Sequence, residues 1–166
     1  MVSDKDTGYA PESWVFDAEV TRVFEDMIAR SIPDYDGMRR CVFEVGSKFL
    51  PNDGLIVDLG CSRGQSLQMF VDAFGKRSYY IGVDNSIHMV HETRKRFSDM
   101  IASERMSIEV CDLRSDYPAR LANLTLSVLT AQFVPIELRQ QLFAKVYEHT
   151  ASRGAFILVE KVLGSS

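Results

Sequence analysis

No run of apolar residues in the 166-residue chain approaches the roughly 20 that a membrane-spanning helix needs. The opening stretch Met1-Val2-Ser3-Asp4-Lys5-Asp6 has neither the basic region nor the apolar core of a secretory signal, so a cytoplasmic setting is expected. Cysteine is scarce and odd in number: Cys41, Cys61 and Cys111 stand far apart, which excludes a disulfide framework and a paired Cys-x-x-Cys metal site. Reduced, mostly buried thiols are the expectation. Positive charge is in deficit, with 19 Lys and Arg against 23 Asp and Glu, a net charge of -4 and a pI near 5.4. No global field therefore draws the chain onto phosphate backbones, and a dedicated nucleic-acid binder is disfavoured. With 10 glycines and 5 prolines, and no internal repeat or biased tract, collagen-like and disordered classes are excluded.

What is present is ordinary globular composition, 46% hydrophobic and 25% charged. The length suits one domain and buries on the order of 70% of the unfolded surface without staples. Residues 1–13 are polar, with Gly8 and Pro11, and are expected to be a flexible segment ahead of a single domain over 14–166. From Asp17, the residues Val20, Val23, Phe24, Met27 and Ile28 recur at helical spacing until Ser31-Ile32-Pro33. A second helix is predicted with Asp36-Gly37 as cap and Met38, Cys41, Val42, Val45 and Phe49 as its stripe, ending at Pro51-Asn52-Asp53-Gly54.

The run Leu55-Ile56-Val57-Asp58-Leu59 has the continuous apolar character of a strand buried on both faces. A helix follows from Gly64 to Gly75, and the alternation then repeats. Strands are predicted over 79–84, 106–111, 124–130 and 155–160, with helices over 86–97 and 135–150. Such alternation predicts an α/β, Rossmann-like, mostly parallel sheet of about five strands. The fifth would be a sheet edge, expected to be covered by the N-terminal helices, by a second subunit as a homodimer, or by C-terminal strands missing from a truncated chain.

The sharpest local signal is Asp58-Leu59-Gly60-Cys61-Ser62-Arg63-Gly64, a glycine turn from a buried strand into a helix. Small residues there let a ligand approach the backbone, and the helix start supplies amide donors. Ser62 stands where a dinucleotide fingerprint has its second glycine, and no Gly-Lys-Ser/Thr follows, so neither a nicotinamide site nor a Walker loop fits. Taken alone, the stretch reads equally well as a tight turn without ligand. Asp84, 24 positions after Gly60, ends the second strand near the offset at which a carboxylate accepts from both ribose hydroxyls; its other reading is a helix cap, a role that Asn85 or Ser86 can fill. Asp112 ends the third strand, where it can accept from an adenine amino group while the Leu113 amide donates to the ring; its plainer reading is a turn residue.

His88 and His91 are three apart on one helix, but a third ligand is missing, so no metal is expected. His149 reads as a favourable cation near a helix C-terminus. Arg39-Arg40 and Arg94-Lys95-Arg96 read as solvated faces. Trp14 and Phe16 are candidates for a lid over the ligand or for a staple onto the core.

These residues resemble the class I S-adenosylmethionine-dependent methyltransferases, whose first motif commonly reads Asp-x-Gly-Cys-Gly/Ser-x-Gly. The stretches Trp14-Val15-Phe16-Asp17, Asp26 to Tyr35, Asp58 to Ser62, Asp84-Asn85-Ser86, Gln132-Phe133 with Arg139-Gln140, and Glu160-Lys161 are similar to the bacterial carboxy-S-adenosylmethionine synthases and their phage methyltransferase-like relatives. The resemblance implies a transferase with S-adenosylmethionine, or its carboxylated derivative, as cofactor. It implies cofactor contacts from Tyr35, Gly60, Cys61, Ser62, Asp84, Asn85, Asp112 and Leu113, and places Asp58 and Gly64 in the same motif. It also implies two departures. Val128 stands where the synthases have a cofactor-contacting Asn, and their carboxylate-binding Arg and Tyr belong to a segment beyond this sequence. Thr130-Ala131-Gln132-Phe133-Val134-Pro135 is not the Pro-Pro-aromatic loop of amino-directed DNA methyltransferases. Methyl transfer to an unidentified acceptor is the first expectation. The synthase reaction, tied to tRNA wobble-uridine modification, is the second, and a cofactor-binding or assembly module without catalysis the third.

Overall fold

Four of the five residues in Leu55-Ile56-Val57-Asp58-Leu59 are apolar, and they form the central strand β1 (Leu55–Leu59), buried from Ile56 onward. β2 (Tyr79–Asp84) and β3 (Met106–Val110) lie to one side of it, β4 (Ala122–Val128) and β5 (Thr150–Val159) to the other. The order is β3-β2-β1-β4-β5 and every pairing is parallel, as the strand and helix alternation predicts. The computed structural model describes residues 18–162; segment 1–13 and the side chains of Trp14, Phe16, Val20 and Val23 lie outside the described residues. No helix among the described residues is long and apolar enough to cross a membrane.

The helices are α1 (Ala18–Ser31), α2 (Tyr35–Gly46), α3 (Gln65–Phe74), α4 (Ile87–Arg96), the short α5 (Ser98–Ala102) and α6 (Ile136–Glu148). Because side chains alternate along a strand, β1 feeds two cores. Ile56 packs with Phe70, Tyr80, Leu124 and Leu126 on one face. Val57 and Leu59 pack with Val83, Leu142 and Val146 on the other.

Several details differ from the sequence reading. The cap of α2 is Asp34, whose carboxylate accepts from Gly37 N, rather than Asp36-Gly37. The buried face of that helix is Val42 and Gly46; Cys41 is exposed, and Val45 and Phe49 are 49% and 39% exposed. Gly46 is the reason: its bare Cα lets the helix settle on Phe70 and Leu124, where any Cβ would meet both, and that close approach sets which stripe faces inward. Two of the three thiols, Cys61 and Cys111, are buried as expected, and Cys41 is exposed. β4 begins at Ala122 and ends at Val128, which leaves Thr130 in the following loop. β5 begins at Thr150, five residues earlier than predicted, because Ser152-Arg153-Gly154 is a bulge within the strand and not a turn before it. Arg153 has φ 64°, and the pairing with β4 shifts register between Ala122 and Leu124. β5 pairs with β4 and, among the described residues, with no other strand.

Candidate functional site

The turn after β1 is anchored to its neighbours by the backbone. The amides of Gly60 and Cys61 both donate to Val83 O at 2.8 Å, and the Ser62 amide donates to Asp84 Oδ2 at 2.9 Å. This geometry needs left-handed conformations at Gly60 (φ 74°), Ser62 (φ 47°) and Gly64 (φ 78°). From the other side, Thr93 Oγ1, fully buried on α4, donates to Ser62 O at 2.6 Å and lies 2.9 Å from Met89 O. Thr93→Val should keep the volume and lose the tie. The expected cost is about 0.5–1.5 kcal/mol in urea unfolding, and an unchanged unfolding midpoint would show that the turn does not depend on α4.

Asp84, 8% exposed, ends β2 directly opposite this turn. Its Oδ1 accepts from Ser86 N at 2.9 Å, and its Oδ2 from Ser62 N. Burial pushes its pKa up, while the two amide bonds pull the other way. Each oxygen keeps a lone pair for a further donor. The helix cap is a separate residue, Ser86, whose hydroxyl accepts from Met89 N. At the end of β3, Asp112 accepts from the Arg114 side chain at 2.7–3.0 Å and from the Arg114 amide at 3.0 Å. That guanidinium holds the Asp112 carboxyl below its usual range.

The loop after β4 is fixed from two sides. Glu160 accepts from the amides of Ala131 (2.7 Å) and Gln132 (3.2 Å), and Arg139 donates to the carbonyls of Val134 (2.8 Å) and Gln132 (3.1 Å). Thr130 lies so close to Gly60 that a Cβ there would fall on its side chain.

These strand ends enclose a cavity of about 680 Å³. Gly60, Ser62, Asp84, Asn85, Asp112 and Leu113 all line it. Tyr35, Asp58, Cys61 and Gly64 do not. Tyr35 starts α2 beneath the Arg39 guanidinium, 5.6 Å from the ring centroid. Cys61 is packed so tightly on β2 that a Cβ on Gly82 would touch its Sγ, and burial pushes its thiol pKa well up. Gly64 seats the Phe97 ring where a Cβ would be. Asp58 is 1% exposed, and its Oδ2 has no hydrogen-bond partner among the described residues. Burial and then the charge of Asp84 push its pKa up to about 7. His88 lines the cavity and His91 does not; among the described residues no group of three or more His, Cys, Asp and Glu is placed to hold a metal.

The sequence reading missed one wall entirely. Phe24, Met27 and Ile28, read as part of the apolar stripe of the first helix, line the cavity, as does Ile32 from the stretch read as its end. A helical stripe carries no sign of whether it meets protein or ligand, so periodicity alone could not separate the two. Arg114, next to Leu113, was also missed, and Lys161, quoted only for the resemblance of Glu160-Lys161, lines the cavity as well.

A wholly parallel sheet with a glycine turn after its central strand, a carboxylate at the end of the next and a cavity over the C-terminal strand ends defines a Rossmann-like domain of the class I methyltransferase kind. Solved structures share that fold. Coclaurine N-methyltransferase bound to N-methylheliamine and SAH aligns with a TM-score of 0.60 at 17% identity, over 72% of this chain and 34% of that one. The geranyl diphosphate C-methyltransferase of Streptomyces coelicolor aligns at 0.57 and 20% identity, over 69% and 41%. The sequence pattern of the methyltransferase domain matches residues 56–154. The carboxy-S-adenosyl-L-methionine synthase of Methylococcus capsulatus is 34% identical over 152 residues, which are 91% of this chain and 63% of the relative. That of Staphylococcus epidermidis is 33% identical over 157 residues, 94% and 67%. The chain belongs to the methyltransferase domain family and, within it, to the carboxy-S-adenosyl-L-methionine synthase branch. It spans about two thirds of the length of these curated relatives.

Proposed function

We propose that this chain binds S-adenosylmethionine in the cavity over the strand ends and transfers its methyl group to an acceptor entering between α1 and the loop after β4. The observation that carries this reading is Asp84, a buried carboxylate lining the cavity, fixed by two amides and left with one acceptor position on each oxygen. Two vicinal ribose hydroxyls supply two donors for those positions. The residues fit the cofactor in other respects. The cavity volume lies within the range of small-molecule sites, Leu113 and Val128 offer apolar surface for a purine, and Gly60 lets the backbone come close. When bound, the cofactor supplies an electrophilic carbon on a sulfonium centre. The chain's own residues orient and exclude water: Asp84 holds the ribose, Asp112 and Leu113 the base, and Phe24, Met27 and Phe133 keep the reacting end dry. No side chain is required to move a proton if the acceptor is already nucleophilic.

A second reading is the synthase reaction named for the relatives, which makes a carboxylated cofactor for tRNA wobble-uridine modification in the cytoplasm. Lys161 supports it, since this ammonium lines the cavity and is a candidate partner for an added carboxylate. Val128, at the position where the resemblance places an Asn, weighs against it. Mass spectrometry of small molecules released from the purified protein, with calorimetric titration of S-adenosylmethionine and S-adenosylhomocysteine, separates the readings. Recovery of either cofactor form supports methyl transfer, and a mass greater by one carboxyl puts the synthase reading first. Absence of any binding would refute both.

A further inference from the structure

We propose that Arg114 makes the base end of the cavity selective for a 6-amino purine by fixing Asp112 as a pure hydrogen-bond acceptor; the inference rests on the nucleoside reading of the site. Both side chains line the cavity, on either side of Leu113. Asp112 Oδ1 accepts from the Arg114 amide at 3.0 Å and from its Nε at 2.9 Å, and Oδ2 accepts from Nε at 3.0 Å and Nη2 at 2.7 Å. A carboxylate offers about four lone-pair sites. Nε has one hydrogen, shared between the two oxygens and nearer Oδ1, so the amide, Nε and Nη2 bring three hydrogens to these sites and leave room on Oδ2 for about one more donor. The amide bond and the planar fork together hold the group in one orientation.

That arrangement discriminates between purines. An exocyclic amino group brings an N–H to the remaining lone pair of Oδ2. A 6-oxo group brings a lone pair against a lone pair, and a half-exposed carboxylate covered by the base in this way loses water without gaining a donor. A carboxylate free to rotate would turn away from the oxo group, whereas one clamped by Arg114 cannot. Arg114 is thus a positioning residue, and its effect falls on the ratio of two affinities more than on either alone.

The test is calorimetric titration of the full chain with S-adenosylhomocysteine and with its 6-oxo analogue, S-inosylhomocysteine. The wild type is expected to prefer the amino compound by about tenfold or more, and R114A by about threefold or less. R114K, which keeps the charge but not the fork, should fall between them. A merely structural loss would weaken both ligands in proportion and leave the ratio unchanged, which would overturn the proposal. D112N gives an independent check, because its amide can donate to the 6-oxo group. Reversal of the preference supports the assignment, and an unreversed preference overturns it. If the wild type binds neither compound, the nucleoside reading fails and takes this proposal with it. Binding of both at equal strength overturns the selectivity alone.

Discussion

Asp84→Ala is expected to weaken S-adenosylhomocysteine binding by roughly 1.5–3 kcal/mol, about ten- to a hundredfold, the range for hydrogen bonds to a charged group. Its carboxylate is the point at which the glycine turn and the second strand meet, since Ser62 N and Ser86 N bond to opposite oxygens of it. Alanine removes the ribose acceptors and also leaves those two amides without their partners, so part of the loss would come from a loosened turn. Asp84→Asn separates the two contributions. It retains the side-chain volume and one acceptor oxygen, and should recover the unfolding midpoint more fully than the affinity. Calorimetry and urea unfolding on the same preparations provide the comparison, and a dissociation constant unchanged in both variants would remove the nucleoside from this end of β2.

Asp58→Asn should raise stability at pH 8 and leave it nearly unchanged at pH 4. The Asp58 pKa is pushed from 3.8 to about 7 by burial and by Asp84. A group whose folded pKa lies above its unfolded value binds an extra proton in the native state between the two. Its contribution is therefore most favourable below about pH 4 and is lost as pH rises through 7. Raising the pKa from 3.8 to about 7 corresponds to about 4 kcal/mol at most across that window. Asn carries no charge to desolvate, so the variant's profile should be flatter than that of the wild type. Urea unfolding of both proteins at pH 4, 6 and 8 measures the difference, and parallel profiles would mean that Asp58 stays charged in the native state.

The sheet was legible because its strands are short apolar runs separated by amphipathic helices, a pattern with few solutions. Where the reading slipped, a local signal was overruled by contact between distant residues. The α2 stripe was misassigned because Gly46, not a large apolar residue, decides how the helix sits on Phe70 and Leu124. The start of β5 was missed because Arg153-Gly154 has the chemistry of a turn but serves as a bulge against β4. In the site, Gly60, Ser62, Asp84, Asn85, Asp112 and Leu113 share one cavity because each stands at or just past the C-terminal end of a neighbouring strand. Asp58, Cys61 and Gly64 stand in the same motif, yet a strand sends alternate side chains to opposite faces and a turn buries its inner members. Membership of a motif therefore did not settle contact with the cavity. The α1 wall was legible as a helical stripe, but its spacing gave no sign that it borders a cavity.

The two halves of the cavity have different origins along the chain. Every polar group proposed to contact the nucleoside comes from residues 60–113, a contiguous stretch that leaves the end of β1 and carries β2 and β3, its neighbours to one side in the sheet. The wall proposed to face the acceptor comes from residues 24–32, 129–134 and Lys161, which flank that stretch on both sides in sequence. On the proposed reading, the contacts to the cofactor are carried by one continuous length of chain and those to the acceptor by the lengths on either side of it, so the two can be altered by separate sets of substitutions.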